Sequence, residues 1–307
     1  MNISLGRLKW FLVLSASILW GCHTATLAPP GQGAARVGQA TVNGTTLVYQ
    51  EQGSGSPVVF VHGCCTDYRA WDAQRQAVAA HRRFIALNMR YFGTAPWPDD
   101  LSKYSQQVDA DDVAAFIREL NAGPVDLVGW SYSGPVVMLV VLQHPELVRS
   151  LAIHEPASVT YVNDPAVVQA ANDDRAAALG PVIAAAKAGD LAEAARLTPI
   201  GVNHQPDFWQ TATPEMRAMF IDNARTWKLA LTAPPQPPIT CDMLGQIRIP
   251  VLITVGKDTR AYYQAAATGA AACIHGVRFV TVPGRHLAIA QEPEAFNSAL
   301  LQFLPAN

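Results

Sequence analysis

Val125-Asp126-Leu127-Val128-Gly129-Trp130-Ser131-Tyr132-Ser133-Gly134 decides the fold. An apolar, β-branched run ends in Gly-x-Ser-x-Ser-Gly, and a second apolar run, Pro135 to Leu142, follows at once. The pattern predicts a strand, a sharp turn and a helix, with Ser131 at the apex. A serine so placed stands clear of the sheet edge, with the backbone N–H of Tyr132 pointing into the same space.

Outward from that turn, the rest of the chain reads as strands alternating with helices. Gln39–Val42, Asn43-Gly44 and Thr45–Gln50 form a hairpin signal, because Asn-Gly suits a tight turn. Pro57 to Val61, Phe84 to Leu87, Ser150 to His154, Val251 to Val255 and Val277 to Val282 read as strands. Helices are expected at Tyr68–Ala80, Asp109–Leu120, Tyr262–Cys273 and Glu294–Leu304. Strands buried on both faces and separated by helices predict an α/β fold with a mostly parallel sheet. Residues 157–246 break the alternation. They carry Ala-rich helical stretches, such as Asp174–Ala188, Leu191–Leu197 and Glu215–Leu231, between proline breaks. They predict a helical cap inserted between two parts of one core, 38–156 and 247–307.

The N-terminal residues carry a targeting signal. Arg7 and Lys9 precede an apolar run from Trp10 to Trp20, which has signal-peptide length and is short for a membrane span. Residues 1–21 are therefore expected to be a signal peptide, and 22–37 a Pro- and Gly-containing tether. Export makes disulfides permissible. With Cys22 set aside, a Cys241–Cys273 bridge and four free or partly free thiols stand as equal alternatives. A net charge of −2 and a pI near 6.4 give no sign of a nucleic-acid partner.

A serine hydroxyl needs a base within hydrogen-bond reach, and that base needs an orienting acid. His286 follows the last strand in Pro283-Gly284-Arg285-His286 and is the expected base. The other histidines lie in the tether, at helix ends or in loops, except His62, in the loop expected to donate N–H groups, and His154, at a strand end. Asp258, just past a buried strand in Val255-Gly256-Lys257-Asp258, is the favoured acid. Glu155, at the end of the strand after Ser131, is its rival.

In order along the chain, Val61-His62-Gly63, Arg90-Tyr91-Phe92-Gly93, Gly129-Trp130-Ser131-Tyr132-Ser133-Gly134, His154-Glu155-Pro156, Gly256-Lys257-Asp258 and Gly284-Arg285-His286 resemble the motifs of cap-bearing α/β-fold hydrolases. The resemblance covers roughly residues 38–305. It implies Ser131 as nucleophile, His286 as general base and then acid, and Asp258 as orienting acid. It also implies an oxyanion hole made by the N–H groups of Cys64 and Tyr132, and no cofactor or metal. Leu19-Trp20-Gly21-Cys22 resembles a bacterial lipobox, which implies lipidation at Cys22 and a lipid-anchored chain in the cell envelope. The expected reaction is hydrolysis of a small or medium ester by way of an acyl-enzyme, on a small-molecule substrate. The alternatives are another bond cleaved by the same triad (amide, lactone, carbon–carbon, or perhydrolysis), or an inactive envelope lipoprotein that binds a ligand. Dehalogenases and epoxide hydrolases of this fold use an aspartate nucleophile, and position 131 is serine.

Overall fold

Eight strands form one sheet in the order β1-β2-β4-β3-β5-β6-β7-β8. The computed structural model describes Met1 and residues 33–97 and 101–306. The signal peptide expected at 1–21, Cys22 and most of the tether lie outside the described residues. The strands are β1 (Arg36–Val42), β2 (Thr45–Gln52), β3 (Pro57–Val61), β4 (Arg83–Leu87), β5 (Val125–Trp130), β6 (Val148–His154), β7 (Val251–Gly256) and β8 (Arg278–Val282). The first hairpin is antiparallel, and β2 pairs antiparallel with β4; every pairing from β4 through β8 is parallel. Asn43 and Gly44 turn the hairpin with φ of 47° and 73°. Positive φ at both central residues matches the twist of the flanking strands, which is why Asn-Gly works there.

The helices are α1 (Asp72–Ala79), α2 (Gln106–Glu119), α3 (Ser133–Gln143), α4 (Pro165–Lys187), α5 (Leu191–Asn203), α6 (Phe208–Thr211), α7 (Pro214–Asn223), α8 (Thr226–Ala230), α9 (Cys241–Leu244), α10 (Ala261–Cys273), α11 (Ala288–Gln291) and α12 (Pro293–Phe303). Alternate strand residues serve opposite faces of the sheet. Val59, Val61, Leu127 and Ile253 pack with α2, α3 and α10 on one face. Val58, Phe60, Val128 and Leu252 pack with α1 and α12 on the other, which continues into the helical insertion through Val182, Phe220 and Trp227. Each such side chain, fully buried, contributes about 1.5–3 kcal/mol.

Six helices, α4 to α9, and no strand among the described residues lie between β6 and β7. The continuous helix expected over Glu215–Leu231 divides into α7 and α8. The break comes where the chain is tied to the core. Asn223 accepts the Gly93 N–H at 2.7 Å and donates to Asp67 at 2.8 Å. Arg225 donates to the carbonyls of Gly93 and Ala95 and lies over the Trp97 ring. These contacts hold the insertion against the loop after β4. Cys241 and Cys273 are bonded, joining α9 to the end of α10, while Cys64 and Cys65 are free.

Candidate active site

Ser131 sits between β5 and α3 with φ of +57°, a backbone region that L-residues other than glycine rarely occupy. The turn is sharp because the residues around the serine are small or inward-bonded. A Cβ on Gly129 would lie 2.6 Å from Val137 Cγ2, and one on Gly134 would lie 2.7 Å from Pro156. Ser133 occupies the fifth position, where the motif usually has glycine. Its hydroxyl accepts the Trp130 N–H at 2.8 Å and donates to the Val61 carbonyl at 2.7 Å. The hydroxyl thus ties the turn to β3, and the departure from glycine is structurally absorbed.

The Ser131 hydroxyl lies 2.9 Å from His286 Nε2, as expected, and His286 Nδ1 lies 2.5 Å from Glu155 Oε2. The acid facing His286 is therefore Glu155, which corrects the expectation of Asp258. Glu155 directly follows β6 with φ of +47°, and its side chain reaches across to the end of β7. There Oε1 accepts the Gly256 N–H at 2.7 Å and Oε2 accepts the Thr259 hydroxyl at 2.9 Å. Gly256 leaves room for it: a Cβ would stand 3.0 Å from Glu155 Oε1 and 2.7 Å from the Gly284 carbonyl. Asp258 follows the same strand but is exposed, in a turn closed by the Thr259 N–H on the Gly256 carbonyl, while its own backbone N–H is bonded to the Gly284 carbonyl. Among the described residues its carboxylate has no hydrogen-bond partner.

Burial alone would raise the Glu155 carboxyl. The adjacent His154 and the hydrogen bonds from His286 and Gly256 outweigh burial and hold it below the ordinary carboxylate value. An ionised Glu155 accepts only, so His286 carries its proton on Nδ1 and presents the Nε2 lone pair to Ser131. His154 itself is pushed down to about 4 by burial and is neutral at pH 7.

The His62-Gly63-Cys64 loop lies beside the serine. A Cβ on Gly63 would come within 3.3 Å of Ser131 Cβ. His62 braces this loop: its Nε2 accepts the Met89 N–H and its Nδ1 faces the Gly63 carbonyl. Burial lowers His62 to about 4, so it stays neutral in that role. Cys64 and Tyr132 line the same cavity as Ser131, and the N–H of neither is bonded to another described residue.

The arrangement includes a residue without any signal in the sequence. Tyr263, on α10, stacks on the His286 ring with centroids 3.6 Å apart and planes 8° apart, and its hydroxyl is turned to Ser131. One tyrosine among several on an Ala-rich helix carries no spacing signal. Trp130 also serves the site: its Nε1–H donates to the His286 carbonyl, and it lines the cavity. That cavity holds about 360 Å³. The insertion closes it with Leu179, Ile183, Phe220, Trp227 and Leu231. Of the apolar residues on α6 to α8, Phe220 and Trp227 reach the cavity, whereas Phe208, Trp209, Met216 and Met219 pack among the helices.

Beneath the cavity, the Tyr132 hydroxyl donates to Asp109 at 2.9 Å. Burial pushes the Asp109 carboxyl up to about 8, against the Tyr132 hydrogen bond. A carboxyl raised above its unfolded value makes the folded chain hold the extra proton between about pH 4 and pH 8. Stability therefore falls as pH rises through that window. Asp109→Asn cannot titrate. Urea unfolding at pH 5 and at pH 8.5 is expected to show the wild-type chain losing a few kcal/mol relative to that variant, on the order set by the shift. An equal pH response in both would disprove the assignment.

The family described as alpha/beta hydrolase fold matches residues 56–293. A 2-hydroxymuconate semialdehyde hydrolase from Pseudomonas sp. (strain CF600) is 32% identical over 114 residues, 36% of this chain and 40% of that protein. The rat bifunctional epoxide hydrolase 2 is 29% identical over 117 residues, 38% of this chain and 21% of that protein. The chain thus spans less than half the length of these relatives. An esterase structure from Thermogutta terrifontis superposes with a TM-score of 0.66 at 22% identity, covering 87% of this chain and 97% of that one. The enol-lactonase of Burkholderia xenovorans LB400 superposes at 0.67 with 19% identity, covering 87% and 99%. At these identities the superpositions establish the fold.

Proposed function

The chain belongs to the alpha/beta hydrolase fold family, and from that premise we propose that it hydrolyses small or medium carboxylic esters through an acyl-enzyme on Ser131. The observation that carries this reading is the hydrogen-bonded line Ser131–His286–Glu155 at the wall of a largely apolar cavity. As Ser131 Oγ attacks the ester carbonyl, His286 Nε2 takes its proton, and Glu155 stabilises the imidazolium. The N–H groups of Cys64 and Tyr132 hold the oxyanion, each worth about 3–4 kcal/mol in such a site. The imidazolium gives its proton to the departing alcohol. Water, activated by the same imidazole, then releases the acid and frees the serine. A serine at 131 argues against the chemistry named for the rat relative. The Pseudomonas relative's name keeps a second substrate class for the same serine in view.

A fluorophosphonate probe tests the reading. Mass spectrometry is expected to find the adduct on the peptide containing Ser131, with p-nitrophenyl ester turnover lost as labelling proceeds. Labelling without ester turnover would move the reaction to another bond; no labelling would favour a binding protein and sink the serine mechanism. The reading includes export with a lipid anchor at Cys22, with which a Cys241–Cys273 disulfide is in keeping. Labelling in fractionated cells is then expected to follow the membrane, and Cys22→Ser to release it; an unanchored wild-type chain would refute the anchor.

A further inference from the structure

The cavity wall is electrically one-sided. Two arginines, Arg175 and Arg260, line it, and among the described residues no aspartate or glutamate does. Arg260 is neutralised: its guanidinium is paired with Asp174 at 2.6 Å. Asp174 is fully engaged, because it also accepts the Tyr262 N–H at the first turn of α10. Arg175 has no carboxylate among the described residues, and none at helical neighbour positions: three and four residues away stand Asn172, Ala171, Ala178 and Leu179. Its guanidinium instead lies over the Tyr262 ring, 5.8 Å from the centroid. Tyr262 in turn packs edge-on against Tyr263, which stacks on His286. The thirteen-residue helix α10 also directs its N-terminus to this end of the cavity, adding positive potential.

We propose that Arg175 and the α10 end of the cavity form a carboxylate subsite, so that the preferred substrates are esters bearing a carboxylate remote from the scissile bond. The inference rests on the serine-hydrolase reading and specifies its substrate class. A largely apolar cavity with one uncompensated cation suits a substrate that is apolar over most of its surface and carries one remote anionic group. A neutral substrate would leave the guanidinium to solvent and gain nothing from it. Because Arg175 is exposed, the attraction is screened and its effect modest.

The test compares mono-p-nitrophenyl adipate, pimelate and suberate with the neutral p-nitrophenyl esters of equal chain length. Phenyl acetate against 4-acetoxybenzoate places the charge on the alcohol side instead. The readout is the ratio of kcat/KM for the anionic to the neutral ester within one preparation, so a general loss of activity cancels. In at least one arm, Arg175→Gln is expected to lower that ratio about two- to fivefold, and Arg175→Glu further. Raising the salt should lower the wild-type ratio and leave the Arg175→Gln ratio flat. Ratios unmoved by both substitutions, with neutral esters still hydrolysed, overturn the subsite and leave the serine mechanism standing. No turnover of any ester together with no fluorophosphonate label at Ser131 overturns both.

Discussion

Glu155→Gln is expected to lower kcat about 10⁴-fold with KM little changed, whereas Asp258→Asn is expected to stay within about twofold of wild type. The size of the loss follows from tautomer control. Glu155 Oε1 is claimed by the Gly256 N–H, so in the variant the amide oxygen must remain there. The NH2 group then faces His286 Nδ1 where a carboxylate oxygen stood. Two donors cannot share that contact, so the imidazole moves its proton to Nε2. With Nε2 protonated, it cannot accept the proton of Ser131, and the attack loses its base. Binding is untouched because neither Glu155 nor its partners Gly256 and Thr259 line the cavity. Asp258 is exposed and turned to solvent, so its amide changes a surface charge and nothing at the imidazole. Steady-state kinetics on a p-nitrophenyl ester, with circular dichroism to show that both variants fold, decides the matter. If Asp258→Asn carries the large loss, the geometry assigned to Glu155 is wrong.

Why the sequence favoured the wrong carboxylate is a matter of reach. Asp258 and Glu155 both follow buried parallel strands, and sequence spacing treats strand ends alike. What separates them is a tight turn that points one outward and a positive φ that points the other in, plus one methylene of length. The missing Cβ at Gly256, which gives Glu155 its berth, was visible as a letter but not as a space. By contrast, the turn at Ser131, the approach of His286 to it, the hairpin at Asn43-Gly44 and the parallel sheet were legible, because each is written in local pattern. Tyr263 and the break at Asn223 were not legible. Both arise from contacts between segments far apart in the chain, which no local period records.

Ser131→Ala and Ser131→Gly are each expected to abolish hydrolysis, by about 10⁵-fold or more, since both remove the nucleophile. Their stabilities are expected to differ. Ser131 is held at φ of +57°, where a residue bearing a Cβ costs about 1–2 kcal/mol. Alanine keeps that cost and glycine relieves it. Glycine also gives the unfolded chain more freedom, an opposing effect of about 0.5–1 kcal/mol. Both variants lose the same hydrogen bond to His286, so that loss cancels in the comparison. The balance leaves the glycine variant more stable than the alanine variant by about 0.5–1 kcal/mol, readable as a higher urea midpoint at equal slope. The turn imposes the strain because Gly129, Ser133 and Gly134 pack it tightly against Val137, Val61 and Pro156, and the strained conformation is what sets Oγ 2.9 Å from the base. If the two variants unfold at the same midpoint, the backbone at Ser131 is not strained, and the serine's position must come from its hydrogen bonds alone.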